Sequence, residues 1–294
     1  MKSSPQNVPA APLPWAFACG TDVGRVRNHN EDATYLDAEA RVMVLADGMG
    51  GYQAGEVASE LAVSIIAEAC REGMNDESML GKIDSESGIS VAMRQMQLAI
   101  EKANNRICAL AMGKPELSGM GTTVVAARFY DGRVGIAHVG DSRCYRFRDG
   151  QLRQLTKDHS YVQEQVERGL MSEDEAAHSL QKNLITRALG INSLARADVQ
   201  EFRTRPGDIY LLCSDGLSDM VDARQIEQVL ASTVDLQEAV RRLIDLANER
   251  GGRDNISVVL GRVGAAEPGE VWWRRLVKTK TPPPGRATPP GRAT

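Results

Sequence analysis

Four times in this chain an apolar run or a glycine-rich turn delivers an aspartate to its end. Val42-Met43-Val44-Leu45-Ala46 runs into Asp47-Gly48, and His138-Val139-Gly140 into Asp141. Leu211-Leu212-Cys213-Ser214 runs into Asp215, and Gly251-Gly252-Arg253 into Asp254-Asn255. The first run reads as a buried strand, and its glycines let the backbone turn tightly and approach a ligand. A carboxylate at the end of a buried strand is costly unless a cation sits against it. One Asp-Gly after a strand is also an ordinary turn. The recurrence, beside a further acidic pair at Glu31-Asp32, points instead to a multi-metal site, which requires a fold that gathers these ends in one pocket.

The remaining pattern is α+β. Trp15 to Thr21 predicts a first strand, and 21–32 a polar connection dense in function-capable side chains. Ala33–Leu36 and Arg41–Ala46 predict a strand pair around the turn at 37–40. Two amphipathic helices follow, one from near Gly55 and one carrying Ala92, Met96, Ala99, Ile100, Ala103, Ile107 and Leu110 at three- and four-residue steps. Between them 73–88 reads as loop, and Met93, Met96 and Met112 read as core filler. Thr122–Tyr130, Arg133–Val139, Ser142–Arg148 and Gln151–Leu155 predict an antiparallel meander. Its outer joints are the hairpin pairs Asp131-Gly132 and Asp149-Gly150, and Gly140-Asp141 replaces the middle one.

Residues 160–183 predict a helical insertion. Tyr161–Arg168 forms one short helix stopped by Gly169, and the Ser172–Glu175 capping box opens another. A strand at Asp208–Cys213, a helix at Asp235–Asn248 and a strand at Ile256–Leu260 complete the body. This order predicts two antiparallel β-sheets packed face to face with helices outside, a four-layer α-β-β-α sandwich. One domain is expected over 14–264. It follows a Pro-, Ser- and Asn-rich segment, 1–13, expected to be disordered, and precedes a Trp/Arg- and Pro-rich tail, 265–294.

Charge narrows the class of ligand. The net charge is −4. Residues 263–294 carry six Lys or Arg against two Glu, so the body to residue 262 holds −8. An acidic body is unsuited to nucleic acid and suited to divalent cations. The five cysteines are scattered, without a C-x-x-C pair, and read as reduced thiols of a cytoplasmic protein. Ala16-Phe17-Ala18-Cys19 faintly resembles a lipoprotein cleavage box but lacks a preceding apolar region. No stretch approaches the roughly 20 apolar residues of a membrane span.

All-oxygen ligands suit Mg²⁺ or Mn²⁺, and the histidines at 29, 138, 159 and 178 show no metal-binding spacing. Two such ions about 3.5–4 Å apart can aim an activated water at phosphorus and neutralise developing charge. Arg27 is the candidate phosphate ligand through bidentate contacts, and its alternative is a surface ion pair with Glu31. Cys19 to Arg25 also fits Cys-x₅-Arg, the phosphate loop of a Cys-dependent tyrosine phosphatase. Against that, Asp22 would repel a phosphate and no Ser or Thr follows Arg25.

The motifs resemble, in order, those of the metal-dependent protein phosphatases of the type 2C class, the PPM family, in its compact bacterial form. They are Thr21-Asp22-Val23-Gly24 with Arg27 and Asn30-Glu31-Asp32, then Ala46-Asp47-Gly48-Met49-Gly50-Gly51, Gly121-Thr122-Thr123 and Val139-Gly140-Asp141-Ser142-Arg143. Leu155-Thr156 with Asp158-His159-Ser160, Cys213-Ser214-Asp215-Gly216-Leu217 and Gly252-Arg253-Asp254-Asn255 follow. The resemblance implies a Ser/Thr phosphatase that hydrolyses phosphoserine and phosphothreonine in proteins by a metal-activated water and opposes a cognate Ser/Thr kinase. It implies that Asp47 bridges two Mn²⁺ or Mg²⁺ ions, with the Gly48 carbonyl on one and Asp215 and Asp254 on the second. Asp141 with Asp215 would supply a looser third site. Glu31 and Asp32 would orient the waters, Arg27 would hold the phosphate, Asn255 would orient Asp254, and 160–183 would be the flap.

Where better-known eukaryotic members have a His after Asp-Gly, here Met49 stands, which carries no proton to give. His159 is either a replacement acid or a hydrogen-bonded structural histidine. A non-catalytic pseudophosphatase would lack a metal acid, and here all are present. Small phosphometabolites remain open as substrates. In the tail, Trp272-Trp273-Arg274-Arg275-Leu276 reads as a partner or membrane contact or as a packing anchor. Thr281 and Thr288, each before proline, read as kinase sites.

Overall fold

A computed structural model of the chain describes residues 15–50, 54–72, 78–177 and 179–264. The segment 1–13, His178 and the tail 265–294, with the docking and phosphorylation sites expected there, lie outside the described residues.

The strands are β1 (Trp15–Asp22), β2 (Asp32–Asp37), β3 (Val42–Met49), β4 (Gly121–Thr122), β5 (Val124–Tyr130) and β6 (Arg133–Val139), then β7 (Arg143–Arg148), β8 (Gln151–Gln154), β9 (Asp198–Arg203), β10 (Ile209–Cys213) and β11 (Ile256–Val263). The helices are α1 (Ala54–Glu72), α2 (Val91–Gly113), α3 (Tyr161–Glu167), α4 (Glu173–Ala177), α5 (Asp215–Ser218), α6 (Ala223–Ser232) and α7 (Leu236–Glu249). One sheet runs β1-β11-β10-β7-β8, and the other runs β2-β3-β5-β6-β9 with β4 paired to β3. Every named pairing is antiparallel.

Strand periodicity builds the layers. Along β3, Val42, Val44 and Ala46 face α1 and α2, where they meet Ile66, Met96 and Ile100. Met43 and Leu45 face the opposite sheet and its Tyr210, Leu212 and Val259. Because both faces are covered, both registers are apolar, which explains an unbroken hydrophobic run. The second sheet is roofed by α6 and α7 through Ile226, Val240 and Leu243. The four-layer α-β-β-α sandwich expected from sequence is the fold. Met93 and Met96 lie in its core, but Met112 is 88% exposed at the outer face of α2 and is no core filler.

Several elements depart from the sequence reading. β3 does not stop at Ala46 but continues through Asp47-Gly48 to Met49 and pairs with Gly121-Thr122. A Cβ on Gly48 would come within 2.2 Å of Gly55 O, so only glycine lets α1 sit that close to the strand. The meander is not one sheet: β6 pairs with β5 and β9, β7 with β8 and β10, and the chain changes sheets at Gly140-Asp141. The strand β9 and the helices α5 and α6 were not anticipated. Among the described residues, no helix is long and apolar enough to cross a membrane.

The turn between β2 and β3 is held by Asp37. Its Oδ1 accepts from the N–H groups of Glu39 and Ala40 at 3.0 and 2.9 Å, and its Oδ2 accepts from Tyr35 OH at 2.9 Å and Arg71 Nε at 2.8 Å. The Ala40 N–H first, with Arg71 and Tyr35 in support against the opposing effect of burial, lowers its pKa to about 2. A depressed carboxylate adds stability above its unfolded pKa and loses it as pH falls through the folded value. Asp37→Asn is therefore expected to cost about 1 kcal/mol at pH 7, after allowance for solvent screening. In urea titrations the gap from the parent should close as pH drops from about 4 toward 2. A gap that stays constant with pH would assign the loss to packing.

Candidate active site

β2 and β3 place Asp32 directly opposite Asp47. Asp215 opens α5 at the end of β10, Asp254 precedes β11, and Asp141 lies at the sheet-to-sheet crossing. The fold brings these five carboxylates, from both sheets, to one end of the sandwich. Burial first, then the charges of Asp32, Asp215, Asp141 and Asp254, push the Asp47 pKa well above the usual carboxylate range. Burial, then Asp141, Asp219, Asp254 and Asp32, raises Asp215 to about 8. Burial likewise raises Asp32 to about 6 despite hydrogen bonds from Ser257 and Ser214, and raises Asp141 to about 6 with Asp158 adding to it.

Three carboxylate oxygens of this cluster, Asp32 Oδ1, Asp141 Oδ1 and Asp215 Oδ1, are shielded from solvent and have no hydrogen-bond partner. Buried acceptors without donors, on acids that repel one another, are the signature of a site built for cations. The donors are all oxygen, which suits Mg²⁺ or Mn²⁺. The residues present therefore fit the metal implied by the sequence.

Hydroxyls and amides hold the acids in place. Asp47 N–H donates to Thr123 Oγ1 at 3.2 Å, and that hydroxyl meets Ser142 Oγ at 2.8 Å, next to Asp141. Ser214 Oγ donates to Asp32 Oδ2 at 2.9 Å and accepts from Ser257 N–H at 3.0 Å. Asn255 was expected to orient Asp254 and its loop; its backbone N–H donates to Asp254 Oδ1 at 2.9 Å, while its side chain reaches the polar connection instead. Its Nδ2 donates to Val23 O and His29 O at 3.0 and 2.9 Å, and its Oδ1 accepts from Glu31 N–H at 2.8 Å, stapling the polar connection to β11. Thr123, Ser142 and Ser214 sit in quoted motifs without an assigned role, and Ser257 was read only as strand.

Glu31 lies against the first turn of α1. Burial raises its pKa, while the Gly55 N–H and Arg27 draw it back down. Arg27 does not pair with Glu31: its Nη2 donates to Asp254 Oδ2 at 2.7 Å, with half of the arginine side chain exposed. The Asp254 bond first, then the neighbouring acids, raises the Arg27 pKa against burial.

Cys19 is central in β1, opposite Val259, and burial raises its thiol pKa. An extended strand aims no converging N–H groups at that sulfur, so Cys19-Arg25 does not form a phosphate loop. Beside the acids, α3 and α4 border a groove of about 550 Å³, with Asp141 and Asp215 at its floor and Lys157, Gln163 and Lys182 along it. Lys182, at the foot of this helical segment, pairs with Asp219 after α5 at 2.8 Å.

A family model described as Protein phosphatase 2C matches residues 19–260. The Mycobacterium tuberculosis (strain ATCC 25618 / H37Rv) serine/threonine protein phosphatase PstP is 40% identical over 247 residues, which cover 84% of this chain and 45% of that protein. This chain thus spans less than half the length of that relative. The serine/threonine phosphatase stp of Listeria innocua is 39% identical over 243 residues, covering 82% of this chain and 92% of that protein. A crystal structure of the catalytic domain of PstP in complex with 2 manganese ions aligns with a TM-score of 0.73 at 38% identity, covering 86% of this chain and 100% of that one.

Proposed function

The chain belongs to the protein phosphatase 2C family, and from that premise we propose that it hydrolyses phosphoserine and phosphothreonine in proteins with Mn²⁺ or Mg²⁺, opposing a Ser/Thr kinase. The observation that carries this reading is the set of three buried, partnerless carboxylate oxygens on acids from both sheets. Asp47, the Gly48 carbonyl, Asp215 and Asp254 would hold two ions, and Asp141 with Asp215 a third. Bound divalent cations supply Lewis acidity, lowering the pKa of water and neutralising charge on the phosphoryl oxygens.

The chain's own groups do the rest. Glu31 and Asp32, the latter with its Oδ1 free of donors, would bind or orient the waters at the site. Arg27, half exposed and beside Asp254, would hold the substrate phosphate with its guanidinium. The groove beside α3 and α4 receives the polypeptide around the phosphoresidue. Neither Met49 nor His159 is placed to protonate the leaving group, since Met49 has no proton and the His159 Nε2 faces Asp198. The expected cytoplasmic location fits a chain with five free cysteines.

The test is p-nitrophenyl phosphate and phosphothreonine-peptide turnover with Mn²⁺, with EDTA, and in two variants. EDTA should abolish turnover and Cys19→Ser should leave it intact. Arg27→Ala should raise KM about 10-fold or more, the worth of a lost charge-assisted contact. Turnover that survives EDTA but not Cys19→Ser would replace this reading with the cysteine mechanism.

A further inference from the structure

Among the described residues, a second polar cluster lies outside the five acids: His138, His159 and Asp198 offer ligand atoms within 4.8 Å of one another. Its hydrogen bonds argue against a cation there. Burial first, then His138 and Arg187, lowers the His159 pKa, so the ring is neutral. Gly140 N–H donates to His159 Nδ1 at 3.0 Å, which makes Nδ1 the acceptor and leaves the ring hydrogen on Nε2. That Nε2 faces Asp198 Oδ2 at 3.3 Å. The Arg187 guanidinium lies against the same nitrogen and donates to Asp198 Oδ1 at 3.0 Å. With Nδ1 engaged by Gly140 and Nε2 crowded by the Arg187 guanidinium, neither ring nitrogen is open to a metal.

What this cluster grips is a turn. The His159 backbone N–H donates to Gly140 O at 3.0 Å, so one residue holds both the N–H and the C=O of Gly140. Gly140 has φ +108°, and a Cβ there would meet the Thr123 side chain at 2.5 Å, so the turn is seated against the threonine that fixes Asp47. The next residue is Asp141, buried with one oxygen unpartnered. On its far side His159 O accepts from Thr186 N–H at 2.8 Å, immediately before Arg187 and across the Ser160–Ile185 bridge at the foot of the helical segment. His138 stacks on the same ring at 4.6 Å between centroids.

We propose that His159 is a positioning residue that clamps the Gly140 turn to aim Asp141 into the acid cluster, and ties that turn through Asp198 and Arg187 to the base of the 160–183 flap. This rests on the reading of Asp141 as a metal ligand. The clamp acts through backbone geometry: it keeps an otherwise unpaired Gly140 N–H satisfied and the carboxylate pre-aimed, as outer-shell partners of ligands do.

Three variants test it, read by hydrogen exchange of the peptide containing Gly140 and by calorimetric Mn²⁺ titration. His159→Phe keeps a ring on His138 but removes the acceptor. Exchange at Gly140 should accelerate about 10-fold or more, and the loosest Mn²⁺ site should weaken about 10-fold, with the tight sites unchanged. His159→Asn, whose Oδ1 can stand where Nδ1 does, should restore Gly140 protection and most of the Mn²⁺ affinity. Asp198→Asn, at a half-exposed position, should speed Gly140 exchange by a smaller factor, and unchanged exchange there overturns the tie to the flap. Parental exchange or parental Mn²⁺ affinity in His159→Phe overturns the clamp, as does an Asn variant as impaired as Phe. A parent that binds no Mn²⁺ sinks the metal reading instead, while Gly140 exchange still decides the clamp.

Discussion

Asp47→Asn is expected to lower p-nitrophenyl phosphate turnover by about 10³-fold or more, and to raise the melting temperature of the metal-stripped protein. The two effects run in opposite directions for one reason. Asp47 sits among Asp32, Asp215, Asp141 and Asp254, which all disfavour its charge. Without cations that repulsion opposes folding, and an amide of the same shape removes it. Its main-chain contacts are untouched: Asp47 N–H still meets Thr123 Oγ1, and Asp47 O still accepts from Thr122 Oγ1 and Thr123 N–H. Each kcal/mol relieved should add about 2–4 °C in a domain of this size. A variant both inactive and less stable without metal would make Asp47 a structural anchor rather than a ligand.

The second large effect is a stability that depends on metal and pH together. In EDTA the melting temperature should fall as pH rises from about 4 to 8. The sign follows from the raised folded pKa values of Asp32 and Asp141, each about 6, and Asp215, about 8. Across that window the folded protein binds more protons than the unfolded chain, so each step up in pH favours unfolding. Saturating Mn²⁺ should flatten or invert the slope near neutrality. At one hundred times its dissociation constant, one ion adds about 2.7 kcal/mol, or roughly 5–10 °C. Melting curves from pH 5 to 8 with and without Mn²⁺ decide this. A metal-free protein that gains stability with pH would mean that the carboxylates do not crowd one another.

Much of this was legible in the sequence because the signals were local. The Val42–Ala46 run, the Asp131-Gly132 and Asp149-Gly150 turns and the Ser172 capping box each depend on a few neighbouring residues, and each is found in the fold. The acids singled out from sequence lie near enough at one end of the sandwich to disfavour one another's charge. What was hidden was long-range or masked by polarity. β9 is an edge strand whose alternate residues meet solvent, so Asp198-Val199-Gln200-Glu201 lacks the apolar pattern of a core strand. α6 did carry a signal in the reciprocal Asp222–Gln225 capping box, followed by Ile226, Val229 and Leu230 at helical spacing. The sheet change at Gly140 cannot be read from turn chemistry, because a hairpin and a crossover use the same glycine. The His138–His159–Asp198 cluster joins residues from three separate segments, and no spacing rule connects them.

That the five carboxylates are drawn from both sheets has a consequence for how this molecule can fail. Neither half of the sandwich owns the chemistry; the pocket exists only at the seam, once the two sheets have docked in register. On the proposed activity, a half-assembled chain would therefore lack the complete acid cluster, and catalysis would await docking of the two sheets.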